Sequence, residues 1–583
     1  MAGQSIRRSQ FITTYGPGAI LESAEGPRII RGLEWAEIFD DARPDDHEIT
    51  ERRLSEGLLS GARIVAVPSN AELGVEDSRG VYRTLPFPKW SLCVRHSVLY
   101  RKSDGDNRTC PLCPPSQNHF DAWRKAGAEK TRFIQVCRAG HMQDVDWNYV
   151  VTSMGGRCNG SCRPDYFRWE GGGGALASVL VRCPNCGQAA NLGQAYARDW
   201  RCSGDFPEEG GNIRPPCPTH GRIVQRGASN VFIPETVTAL TIPPAALELH
   251  RLLDQRALRL LFAVMRPTDF AALASLLQRA VDTGNLGQHV VDAILVYPPS
   301  EVMRALDEVT RPIEARSAAE MRLDEYRRLR DAAAEGYPLQ PGEARSQFEV
   351  VLGDVRQFDV VGTGRFRVTP VSRLRVVMAQ TGYRRLDGQP VDRKAWFDGD
   401  AWYPGVELFG EGVFIDLIDD GGNPAPVPIN GASAQAWAAN AGATWAADPI
   451  QLDPAFVWLH TLSHRLISSL SLSCGYSSAA LRERVFIDRQ LGEAAFGGVL
   501  LYTVQPGGDG TLGGLVSLVP GFRQILDGAL ETLDSCSNDP LCGRERFGPE
   551  RVNGAACYAC LFQSETSCEH RNMSLDRNVL LGR

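Results

Sequence analysis

Nowhere does this chain hold a run of about 18 uncharged apolar residues, and its N-terminal stretch MAGQSIRRSQFITTYGPGAI has two arginines but no apolar leader core or small-residue cleavage site. Membrane spanning and secretion are therefore not expected, and the chain is read as cytoplasmic. A basic excess is also missing. The net charge is −7, so the molecule as a whole is not a stand-alone nucleic-acid binder, and any such contact must be local or shared with a partner. No GxxxxGK[ST] occurs, and GGGGALAS at 171–178 lacks the lysine that a phosphate loop needs. The chain is not expected to be an ATP-driven motor. His460 and His464 in HTLSH stand one helical turn apart, but no glutamate base follows as in HExxH, so they read as core or hydrogen-bonded histidines. No GxSxG elbow presents Ser463, Ser477 or Cys474, and GGDGTLGG at 507–514 reads as a turn between strands better than as a phosphate cradle.

What is present is length, apolar content and cysteine. The 583 residues are 43% hydrophobic, enough for roughly three to four domains. Residues 1–240 are turn-rich, with short apolar runs such as ARIVAVP and ASVLVRC, and hold ten of the 16 cysteines; they predict a zinc-rich region of short strands and loops. Residues 241–345 carry apolar positions at three-to-four spacing and no cysteine, which predicts helices; the charged run 314–336 reads as a solvated helix face. Strand texture returns in 346–583 (QFEVVLGDVRQFDVVG, RFRVTPVSRLRVVMAQTGYRRL, GVFIDLI). There, 420–446 reads as an exposed loop, PAFVWLHTLSHRLISSLSL as a helix, and the end as a cysteine cluster. The fold class is α+β multidomain, with a helical middle and an α/β C-terminal domain. No internal repeat is visible.

In a reducing compartment thiols stay reduced unless a metal claims them. A CxxC turn offers two thiolates to one side of a tetrahedral ion, and two more ligands arrive from elsewhere. Cys110 and Cys113 form one such pair, with Cys93 and Cys137 as partners. Cys183 and Cys186 form a second, with Cys202 and Cys217. Cys158 and Cys162 could substitute in either set, and His96, His141 and His220 are replacement ligands. Cys557 and Cys560 form a third pair, with Cys568 close by and Cys536 and Cys542 competing for the last place. Sites filled by four thiolates leave no position for an activated water, so the expected cofactor is structural zinc, without catalysis. The compact cluster of His141, Asp144 and Asp146 is the candidate for an open metal site, and so for the rival reading of a metal-dependent nuclease or hydrolase acting on nucleic acid.

RRSQFITTYGPGAI, VCRAGHMQDVDW, HTLSHRLISSLSLSCGYSSAALRER, LLYTVQPGGDGTLGGLV and NGAACYACLFQSETSCEHRN together resemble the DrmB family of the DISARM anti-phage defence systems. The last three stretches are similar to the helicase-associated zinc-binding domain that ends MrfA-like helicases. The resemblance implies a non-motor subunit that joins a superfamily 2 helicase similar to DrmA in a stable complex and helps it engage DNA. It also implies a terminal ligand pattern of Cys542 or Cys536, then Cys557, Cys560 and Cys568, followed by a turn at Arg571 and Asn572. DNA contacts, where this chain makes them, are expected from Arg365, Arg367, Arg373, Arg375, Arg384 and Arg385, whose guanidinium groups can pair phosphates without sequence preference.

Overall fold

The computed structural model describes residues 6–23, 26–40, 44–76, 80–101, 110–113, 128–154, 162–171, 174–210, 215–339, 346–446, 448–473, 476–489, 494–506 and 513–583. The chain divides into two compact units, each assembled from separated stretches. The first comprises residues 1–49, 62–237 and 378–406, the second 50–61, 238–377 and 407–583.

Within the first unit, short strands alternate with turns. Strands β1 (Trp90–Cys93) and β2 (Val98–Arg101) pair as a hairpin inside a six-stranded antiparallel sheet. Strands β3 (Phe133–Cys137), β4 (Asp199–Cys202) and β5 (Cys217–Gln225) belong to a four-stranded sheet ordered β4-β5-β3, with Met142–Gln143 at its edge. Leu99, Trp147, Phe167, Val181 and Trp200 pack together between these strands and the helix Trp147–Met154.

In the second unit, the cysteine-free stretch forms the expected helices, from Glu248–Leu253 through Pro299–Thr310, with Leu258, Leu273, Leu277, Ile294 and Val302 on the buried side. The last of them, α1 (Ala318–Glu335), starts on a capping box in which Ser317 and Glu320 satisfy each other's backbone N–H. The charged run keeps a solvated face, while on the packed side Met321, Tyr326 and Leu329 are buried, and so is Glu325. Its carboxylate accepts from Arg484 Nε at 2.7 Å and from the Leu240 N–H at 2.9 Å.

Two long strands follow, β6 (Gly364–Arg384) and β7 (Asp400–Ile418); the division between the units falls at Met378 in β6 and at Glu407 in β7. After them come α2 (Pro454–Ser473), β8 (Arg482–Asp488), β9 (Phe496–Pro506) and α3 (Phe522–Glu531), and the sheet order is β6-β7-β9-β8. β7 and β9 run antiparallel from Leu408 opposite Pro506 to Asp416 opposite Gly498. Helix α2 is apolar on most of its circumference, and a helix of that kind is stable only when covered. It is buried from Pro454 to His464, with Phe366, Ile415, Trp458, Leu462 and Phe522 in one core. The exposed loop expected at 420–446 contains instead the helix Gly431–Ala439, whose Trp437 is fully buried and stacks on Phe547. No helix among the described residues is long and apolar enough to cross a membrane.

Candidate metal centres

The first centre lies on the β1–β2 hairpin. Cys93 ends β1, His96 sits in the turn, and the Cys110/Cys113 pair comes from the chain beyond β2. His96 Nδ1 stands 3.7, 3.6 and 3.4 Å from the sulfurs of Cys93, Cys110 and Cys113, and Cys93 Sγ is 3.9 Å from Cys113 Sγ. A tetrahedral zinc with its usual bond lengths needs sulfur–sulfur edges of about 3.8 Å and sulfur–nitrogen edges of about 3.6 Å. This donor set therefore fits zinc. The fourth donor of this set is His96, where the sequence reading placed Cys137.

Cys137 belongs to a second centre with His141, Cys202 and Cys217, because strand register carries it there. β3 pairs with β5 so that Cys137 faces Gly221, and β4 pairs with β5 so that Cys202 faces Cys217. Gly140 has φ +84°, which only glycine adopts without strain, and it reverses the chain so that His141 Nδ1 returns to 3.3 Å from Cys137 Sγ. The Cys137 thiol is brought down to about 5, first by its hydrogen bond with Cys202 and further by the N–H and ring of His141, so a thiolate is favoured where a cation would sit. Cys202 and Cys217 are thus not the partners of Cys183 and Cys186. Those two lie with Cys162 in a group of three thiols. Cys158, which the sequence places four residues before Cys162, lies outside the described residues. His220, on β5, joins no such group among the described residues.

The C-terminal centre resolves the competition between the upstream cysteines by using both. Cys536, Cys542, Cys557 and Cys560 converge, with sulfur–sulfur distances of 3.4 Å (Cys536–Cys557), 3.7 Å (Cys542–Cys560) and 3.7 Å (Cys557–Cys560). Burial opposes ionisation of Cys557, yet hydrogen bonds from the Ala559 N–H, Asn538 and the neighbouring thiols bring it down to about 7; burial pushes Cys560 up to about 12. A dication at the centre would remove that mutual burden, since it binds thiolates. Cys568 is not part of this centre. It lies against His460, His464 and Glu483, and both histidines are buried and hydrogen-bonded, as the sequence reading expected. Glu483, on β8, was not visible as a candidate; nothing in RERVFID marks it.

The proposed open cluster does not assemble. His141 faces Cys137, Asp144 accepts from the Lys89 N–H at 2.9 Å, and Asp146 accepts from the Tyr149 N–H at 3.0 Å at the start of a helix. Asp144 and Asp146 do line a cavity of ≈ 560 Å³ with Arg31, Lys89 and Arg101, but no metal-competent group forms there among the described residues.

The six arginines separate by burial. Arg367 is buried and makes a bidentate pair with Asp416 at 3.0 and 2.6 Å; Arg375 is buried against Glu407, Glu51, Thr241 Oγ1 and the Thr50 carbonyl. Arg385 is fully buried and donates to the carbonyls of Gly140, Val231 and Gly18 at 3.0, 2.8 and 2.9 Å. These three have no surface to offer a phosphate, which corrects their assignment to DNA. Arg365, Arg373 and Arg384 are partly exposed and lean on Asp359, Glu349 and Glu235 respectively.

Comparison with known proteins places these centres in context. Residues 7–233 match a domain of unknown function (DUF8724), and residues 462–561 match the MrfA Zn-binding domain, a span that contains all four cysteines of the C-terminal centre. The chain is 27% identical to the DISARM protein DrmB of Bacillus paralicheniformis over 536 residues, which cover 85% of this chain and 88% of that protein. A solved structure of the DUF1998 helicase MrfA bound to DNA aligns at 10% identity with a TM-score of 0.18, over 33% of this chain and 22% of that one. The zinc-binding match and the tetrahedral donor sets agree on structural zinc as the cofactor.

Proposed function

We propose that this chain is the non-motor subunit of a DISARM-type anti-phage complex in the cytoplasm, where it partners a superfamily 2 helicase similar to DrmA and supports its engagement of DNA. The observation that carries this reading is its similarity to DrmB along nearly the full length of both chains. The missing phosphate loop and the closed character of the cysteine centres favour a scaffold over a catalyst. An acidic chain contributes to DNA binding by adding local contacts to those of the motor, so that two weak surfaces act together. Arg365, Arg373 and Arg384 are the proposed phosphate contacts, since they retain exposure.

Two outcomes are expected. The lone chain hydrolyses no ATP, and its addition changes the DNA-dependent ATPase of the helicase; turnover by the lone chain that survives repeated purification would overturn the non-motor reading. Alanine at Arg365, Arg373 and Arg384 together weakens DNA binding by the complex equally across unrelated sequences and lowers its salt slope by about one for each phosphate no longer paired. An unchanged slope would mean that these side chains serve their ion pairs alone.

A further inference from the structure

We propose that the second unit holds another metal centre, a buried zinc ligated by His460 Nε2, His464 Nε2, Glu483 and Cys568 Sγ, beside the four-cysteine centre. Residues 462–561, the span that matches the MrfA Zn-binding domain, omit both His460 and Cys568, so that match assigns no such site. The four ligand atoms lie within 4.8 Å of one another. His460 Nε2 is 2.8 Å from Glu483 Oε1 and 3.3 Å from Cys568 Sγ, and His464 Nε2 is 3.2 Å from the same carboxylate oxygen. Edges of a tetrahedral zinc site with these donors are about 3.3 Å between nitrogen and oxygen and about 3.6 Å between nitrogen and sulfur.

The surroundings are arranged as a metal requires. The Nδ1 of His460 donates to the Ser574 carbonyl at 3.2 Å, and that of His464 donates to the Leu561 carbonyl at 2.8 Å. Ligating histidines commonly show this outer hydrogen bond, which fixes the tautomer and turns the Nε2 lone pair inward. A neutral ring whose Nδ1 carries the proton offers only a lone pair at Nε2, and a cation would satisfy such lone pairs together with the carboxylate oxygen. Cys568 Sγ accepts from the N–H groups of His570 and Asn572, both at 3.3 Å, as a thiolate held by a turn would. The second oxygen of Glu483 accepts from Ser463 Oγ.

Local structure brings the four together. His460 and His464 are spaced i,i+4 on α2 and so share one face; Glu483 enters on β8; Cys568 comes from the C-terminal loop. The ligand set, two imidazoles with one thiolate and one carboxylate, suits a four-coordinate borderline cation, above all zinc. His460, His464 and Glu483 are completely buried and Cys568 nearly so, which leaves no place for substrate or activated water. The centre would tie helix, strand and loop together as a structural knot.

Crystals of the full chain, purified without chelator, test this by diffraction recorded on both sides of the zinc absorption edge. An anomalous peak is expected at the point bounded by the four atoms, in addition to the peak at the four cysteines. A peak at the cysteines with none at this point would overturn the proposal, and that result does not depend on any variant folding. In elemental analysis, His464→Asn and Cys568→Ser are each expected to hold one zinc fewer per chain than the unaltered protein. An unchanged zinc content in both would mean that the four side chains form a hydrogen-bond network only.

Discussion

Cys557→Ser combined with Cys560→Ser is expected to empty the four-cysteine centre, to unfold the chain from about Leu533 to its end, and to remove much of that region's stability. Phe547 and Val579 join the main core and Asp576 is hydrogen-bonded to Trp437, but the turns that carry the four cysteines have few apolar contacts of their own. The region's own apolar cluster is limited to Leu533, Leu561 and Leu575 with a few partly buried neighbours, and its backbone is mainly turns. A structural zinc contributes on the order of 10–16 kcal/mol of apparent binding energy in small domains, as large as the whole stability of an ordinary one. The loop is also fastened to α2 through Arg465, which donates to the Cys560 carbonyl at 3.0 Å, so its unfolding would loosen that helix. Zinc content should fall and limited proteolysis should cut first within 536–572, while the centres at Cys93 and Cys137 keep their metal. Unchanged zinc and an unchanged cleavage pattern would mean that these thiols are ordinary packing groups.

Arg385→Ala is expected to destabilise the first unit by about 3–5 kcal/mol, because a buried group that satisfies three carbonyls would vanish and leave each without a donor. The guanidinium also sits 4.3 Å from the ring centroid of Tyr383, and alanine cannot replace that cation–π attraction. Arg385→Lys should recover little, since one ammonium cannot reproduce three donors in a planar fork. Gly140, one of the three acceptors, lies in the turn that joins Cys137 to His141, so the variant should also bind zinc less tightly at that centre. Denaturant titration with parallel zinc analysis measures both effects. A variant as stable as the parent, yet weaker on DNA, would show that this arginine reaches solvent after all.

The sequence announced its metals through local spacing, and only local spacing could be read. Each CxxC marks two ligands because a single turn sets their distance; the remaining ligands arrive by strand pairing. Cys137 meets Cys202 and Cys217 only because β3 and β4 both flank β5, and no feature of the linear chain states that register. The same limit hid the histidine centre, where HTLSH was legible as two rings on one helical face while Glu483 and Cys568 come from 19 and 104 residues beyond His464. The arginines misled for another reason. In RFRVTPVSRLRVV the charged positions look like an exposed strand face, but β6 is buried over most of its length, and Asp416 and Glu407 lie on β7 to receive Arg367 and Arg375. The helical middle was legible because its period is local. The interleaving of the two units was not, since it depends on where β6 and β7 pass from one to the other.

Whether the chain works as the partner of a motor is read most directly by co-expressing it with the proposed helicase partner and weighing the purified particle. A single species containing both chains in fixed ratio, stable to moderate salt and binding DNA more tightly than either chain alone, is the expected result. Two chains that elute separately at every salt concentration, with DNA affinity of the helicase unchanged by this protein, would contradict it.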